Sequence, residues 1–70
     1  MIKKQTVKEF LKGTRNKHTI SISNGTNENV VFEGTYEEFK RNGKEYFNEI
    51  VQSWDVVEME DETLEIGIMI

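Results

Sequence analysis

Two helix-start signals divide this chain, and the segments they open decide what it can fold into. Thr6 followed by Glu9 is a capping box: the threonine hydroxyl covers a free backbone amide, and the glutamate reaches back to the threonine N–H. Thr35 followed by Glu38 is a second one. Behind the first, Val7, Phe10 and Leu11 recur at helical spacing and Gly13 stands where a helix stops, which predicts a short helix over residues 6–13. Its other face carries Lys8 and Lys12. Behind the second, Tyr36, Phe39, Tyr46, Phe47 and Ile50 share one helical face if the helix runs through Asn42-Gly43. A glycine inside a helix costs about 1 kcal/mol relative to alanine, and Asn-Gly favours a C-terminal cap. The pattern therefore allows one long helix or two short ones, with four aromatics supplying most of the core's bulk either way.

Each helical segment is followed by alternating ones. Residues 18–23 alternate with Ile20 and Ile22 inward, Asn24-Gly25-Thr26-Asn27 reads as a loop, and Glu28 to Glu33 resumes with Val30 and Phe32 on one face. Two such runs around Asn-Gly predict a hairpin. In the last third Trp54 and Val56 alternate inward, Glu60-Asp61-Glu62 forms an acidic turn, and Leu64, Ile66, Ile68 and Ile70 alternate again. That parity sends Glu58 inward too, so the strand either leaves the sheet there or is reset by a bulge.

The expected fold is α+β, in the order α-β-β-α-β-β. Two hairpins form a four-stranded antiparallel sheet, with an N-terminal helix and one or two central helices packed on one face. The covered face would hold Ile20, Ile22, Val30, Phe32, Leu64, Ile66 and Ile68. The open face would show Thr19, Ser21, Val31, Glu33, Asp55, Glu65, Gly67 and Met69. Periodicity does not set the order of the strands.

Seventy residues make a single domain, 1–70, that buries only about 60% of its unfolded surface. Cysteine is absent, which excludes disulfides, thiolate zinc sites and thiol nucleophiles. Met1-Ile2-Lys3-Lys4-Gln5-Thr6 has no apolar run behind its lysines, and nothing approaches the roughly 20 apolar residues of a membrane span. A soluble, cytoplasmic protein is expected, without membrane partners. In that setting Asn24-Gly25-Thr26 is a turn and not a glycosylation site.

The charge is sorted along the chain. Lys3, Lys4, Lys8, Lys12, Arg15 and Lys17 face only Glu9 in residues 1–18, a sum of +5. From Glu45 to Ile70 there are eight acids and no base, a sum of −8. Unmixed charge of one sign destabilises a small fold by self-repulsion, so it points to a partner of the opposite sign. The candidate partner-binding residues are Glu49, Asp55, Glu58, Glu60, Asp61, Glu62 and Glu65, carboxylates that would imitate a phosphate backbone and occupy the lysine and arginine sites of a nucleic-acid-binding protein.

Other chemistries find less support. His18 is the lone histidine, without a thiol to activate, and Ser21 and Ser23 lie in a strand with no elbow motif, so no catalytic residue is assigned and an enzyme is not expected. The acidic turn lacks the spaced ligands and central glycine of a calcium loop, so no metal or cofactor is implied. The N-terminal bases, with Lys40, Arg41 and Lys44, could form a stripe, yet the pI near 4.9 and the lack of an aromatic platform argue against direct nucleic-acid binding. Val31, Val57 and Met69 on the open face offer a small seam for a homodimer, the alternative reading of the chain as a structural or accessory domain.

Val7-Lys8-Glu9-Phe10-Leu11, Val31-Phe32-Glu33-Gly34-Thr35-Tyr36-Glu37-Glu38-Phe39 and Leu64-Glu65-Ile66-Gly67-Ile68 together resemble a group of small uncharacterised proteins encoded by phages and mobile elements of Gram-positive bacteria. These motifs are helix caps, a hairpin end and a last strand, and they carry no catalytic residue across. The resemblance implies a phage-type setting, in which many small acidic proteins inhibit host defence nucleases, the anti-CRISPR proteins among them. By that analogy the chain would be an acidic inhibitor docking on a basic surface of a host protein.

Overall fold

Both capping boxes form. In the computed structural model, which describes residues 4–70, Thr6 accepts the Glu9 amide and Glu9 returns a bond to the Thr6 N–H, opening helix α1, Val7–Phe10. Thr35 and Glu38 repeat the arrangement at the start of α2, Tyr36–Asn42. Gly13 takes a left-handed φ of 89°, which frees the chain to turn away from α1. The central segment breaks at Gly43 and continues as a 3₁₀ turn over Lys44–Tyr46. A side chain at Gly43 would collide with the Phe39 ring, so helix end and core packing meet at one residue.

Four strands form one sheet: β1 Thr19–Ser23, β2 Val30–Thr35, β3 Ser53–Glu58 and β4 Leu64–Met69, in the spatial order β2-β1-β4-β3. The two hairpins are antiparallel, but β1 and β4 pair in parallel, so the sheet is mixed and not antiparallel throughout. The physical cause is the path between the hairpins. From the end of β2, the chain crosses the sheet through α2 and the 3₁₀ turn, bridges Thr6 at Ile50, and enters β3 beside Met69. That entry makes β4 run alongside β1 in the same direction.

The core consists of Val7 and Leu11 from the N-terminal segment, Phe39 from α2, and Ile20, Ile22, Ile66 and Ile68 from the two central strands. Register aligns the isoleucines: Ile20 lies beside Ile66 and Ile22 beside Ile68. Phe39 packs edge-on to Phe32 at 5.2 Å and tilted against Phe47 at 5.2 Å.

Three residues expected to face the core are exposed. A register shift between Ile22 and Ser23 sets Val30 opposite Ser23 instead of among the core side chains, and Val30 is exposed. Trp54 and Val56 keep the expected parity but are exposed as well. No bulge resets β3: Glu58 pairs with Leu64 in the same register. Among the described residues no helix is long and apolar enough to cross a membrane.

Candidate functional site

Strand β3 is exposed along its whole length. Trp54 stands opposite Ile68 and Val56 opposite Ile66, so all four side chains lie on the face that the helices cover. Ile68 is 2% exposed and Ile66 8%, whereas Trp54 is 59% exposed and Val56 44%. The helical layer covers the edge only in part. α2 packs on β2 and β1, and α1 has only four residues. Phe10, just outside the core, meets the Trp54 ring at a centroid distance of 5.4 Å and holds one side of it.

The backbone of β3 is open too. Ile70, in line with β4, gives its N–H to Ser23 and takes one from Gly25, both on the β1 side. Strand alternation then turns Leu64, Ile66 and Ile68 toward β1, and Glu65, Gly67 and Met69 toward β3. Their β3 partners are Val57, Asp55 and Ser53. Trp54, Val56 and Glu58 therefore aim their N–H and C=O groups outward, at the free edge of the sheet.

On the opposite face, the missing side chain of Gly67 leaves a hollow of about 320 Å³ between Ser23, Ser53, Asp55 and Met69. The Asp55 carboxylate occupies its wall: a Cβ on residue 67 would lie 2.5 Å from Asp55 Oδ1. A carboxylate beside an open, partly apolar hollow suits the stem and charged head of a lysine or arginine.

The turn that joins β3 to β4 carries the remaining acids. Met59 N–H donates to Thr63 O at 2.8 Å, and Thr63 donates its N–H and hydroxyl to Asp61 Oδ1. Those two bonds from Thr63 hold the Asp61 carboxyl below its ordinary value, with the charge of Lys17 a smaller influence. Glu62 adopts φ 65°, the left-handed conformation that closes the turn. Glu58, Glu60 and Glu62 are exposed around it.

The sequence-predicted carboxylates thus fall into three places. Glu58, Glu60, Asp61 and Glu62 gather at the turn, and Asp55 and Glu65 stand in neighbouring rows of the open face. Glu49 lies at the far end of β3, where Val7 donates to its carbonyl and Gln52 bonds Met69. The six residues of β3 span about 20 Å, so Glu49 is not part of the turn cluster. Among the described residues the ion pair is Arg41–Glu37 at 2.9 Å, and the acids from Glu45 onward take no part in one. Nor do any three His, Asp or Glu among the described residues group as a cation site.

The chain matches no known protein family, curated protein or solved structure. Its site is therefore read from geometry alone.

Trp54 and Val56 are the site residues that pattern reading misses, because alternation assigns them to the core. The available signal was Glu58: a charge in the same parity marks a face that stays wet. Of the expected dimer seam, Met69 and Val31 lie toward one end of the sheet, Val31 at the register shift on the far edge strand, and Val57 lies toward the other end. The expected basic stripe is divided as well. Lys8 and Lys40 lie over the rings of Phe47 and Tyr36, at 6.0 and 5.2 Å, around a hollow on the helical side, while Lys17 is close enough to Asp61 to influence its carboxyl. Lys3 lies outside the described residues. His18 is committed to structure: its Nδ1 accepts the Leu64 N–H at 3.0 Å and its carbonyl accepts the Tyr36 N–H, tying both hairpins to α2.

Proposed function

We propose that this chain is a non-enzymatic interaction protein whose β3–β4 hairpin docks on a basic, nucleic-acid-binding surface of a host protein. The observation that carries the reading is the composition of β3 and its turn: exposed Trp54 and Val56 beside Asp55, Glu58, Glu60, Asp61 and Glu62, which have no ion-pair partner among the described residues. Exposed large apolar groups within an uncompensated charged surface resemble an interface centre with its rim. A basic partner removes the self-repulsion of the acids and buries the tryptophan in one step. On this reading the chain acts in the cytoplasm of a bacterium, as a phage-type inhibitor that takes the place of DNA or RNA.

Capture from a bacterial lysate, followed by competition, tests the reading. The bound proteins should be nucleic-acid-binding ones, and added DNA or RNA should displace the chain from them. The triple variant Glu60→Lys, Asp61→Lys, Glu62→Lys should capture none of them while keeping the circular-dichroism spectrum. Undiminished capture by the triple variant contradicts the proposal.

A further inference from the structure

We propose that the free edge of β3 takes up an extended basic segment of the partner as a fifth strand, with Trp54 as its anchor. This rests on the docking role just assigned and specifies its geometry. Three observations converge on one edge. The N–H and C=O groups of Trp54, Val56 and Glu58 point outward from a strand that is exposed throughout, so a ladder of backbone donors and acceptors is unoccupied. Trp54 and Val56 provide an apolar step on the helix side of that edge, closed at one end by Phe10. Asp55 and the Gly67 hollow provide an acidic pocket on the other side. An added strand presents its side chains alternately to these two faces. The edge therefore selects a segment in which apolar residues alternate with lysine or arginine.

The same charges argue against a second copy of this chain as occupant. Antiparallel pairing of two β3 strands would bring the Glu58–Glu62 turn of one copy beside Glu49 and Asp55 of the other, acid against acid. The other edge is less accessible: the Tyr46 hydroxyl donates to the Val31 carbonyl on β2 at 3.3 Å.

The test uses the full chain and a ten-residue peptide of alternating lysine and valine, with an analogue N-methylated at alternate amides. Binding is followed through the fluorescence of Trp54, the chain's single tryptophan. Amide hydrogen exchange is followed residue by residue. The peptide should bind and slow exchange at Trp54, Val56 and Glu58, leaving Asp55 and Val57, already paired with β4, nearly unchanged. The N-methylated analogue should bind at least about tenfold more weakly, because it keeps the charge and loses the donors. Val56→Pro, which removes an outward N–H and no bond to β4, should weaken the unmodified peptide similarly. Equal binding of the two peptides, or binding without added protection at those three amides, overturns strand addition while leaving charge-driven docking in place. No binding at millimolar peptide, or sedimentation showing a dimer through β3, also overturns it. Failure of the docking role itself shows separately, as lysate capture that the triple charge reversal does not diminish.

Discussion

Trp54 and Ile68 are register partners on one face of the sheet, yet one is more than half exposed and the other almost wholly buried. Their difference is positional. Ile68 lies on an inner strand under the helical layer, and Trp54 lies on the edge strand, which that layer covers only in part. The two residues should therefore respond oppositely to truncation. Ile68→Ala should cost about 2–5 kcal/mol, enough to threaten a domain this small. Trp54→Ala should cost about 1 kcal/mol, chiefly its ring contact with Phe10. Urea unfolding of both variants measures the contrast. In partner binding the order reverses, with Trp54→Ala losing about 2 kcal/mol or more as an interface anchor.

Two glycines make a second comparison. A Cβ at Gly43 collides with the buried Phe39 ring and meets the Phe39 carbonyl at 3.0 Å, so Gly43→Ala should destabilise the fold by about 1–3 kcal/mol. A Cβ at Gly67 meets only the free end of the Asp55 side chain, which can swing aside. Gly67→Ala should leave stability within about 1 kcal/mol of the parent while displacing the Asp55 carboxylate from the wall of the hollow and weakening basic partners. Thermal unfolding separates the two.

Much of the helical layer was legible because its signals are local. Thr6 with Glu9 and Thr35 with Glu38 specify their caps within four residues, whereas the break at Gly43 decides between one long helix and two short ones, which the pattern alone left open. Ile20, Ile22, Ile66 and Ile68 were legible through alternation. The parallel pairing of β1 with β4 was not, because it depends on how the chain crosses the sheet between Thr35 and Ser53. The exposure of Trp54 was hidden for a related reason. Parity assigns a face, and only the reach of the helices decides how far that face is covered. The acids of the turn were visible as a run, but Glu49 was grouped with them by charge sign and not by place.

Asp61 gives a pH prediction. Its carboxyl is held below the ordinary value of 3.8 by the Thr63 hydroxyl and N–H, so its folded form favours the ionised state. The resulting stability is fully present above pH 3.8 and is lost as pH falls through the lower folded value. Asp61→Asn should therefore differ most from the parent near neutral pH, and the two should converge under acid. Urea midpoints between about pH 2 and 7 follow this.

His18 links the hairpins through one acceptor. Replacing it with phenylalanine leaves the part-buried Leu64 N–H without a partner, at a cost of about 1–3 kcal/mol. Hydrogen exchange at Leu64 should accelerate more than at Ile66 or Ile68.

The central claim is that the β3 edge and its turn form the docking surface. Its most direct measurement compares three variants against a captured partner at two salt concentrations: Trp54→Ala, the Glu60/Asp61/Glu62 charge reversal, and Lys40→Glu on the helical side. The account predicts that the first two lose binding, that Lys40→Glu retains it, and that salt weakens the parent complex sharply. Loss of binding by Lys40→Glu, with the two β3-side variants unaffected, would contradict it.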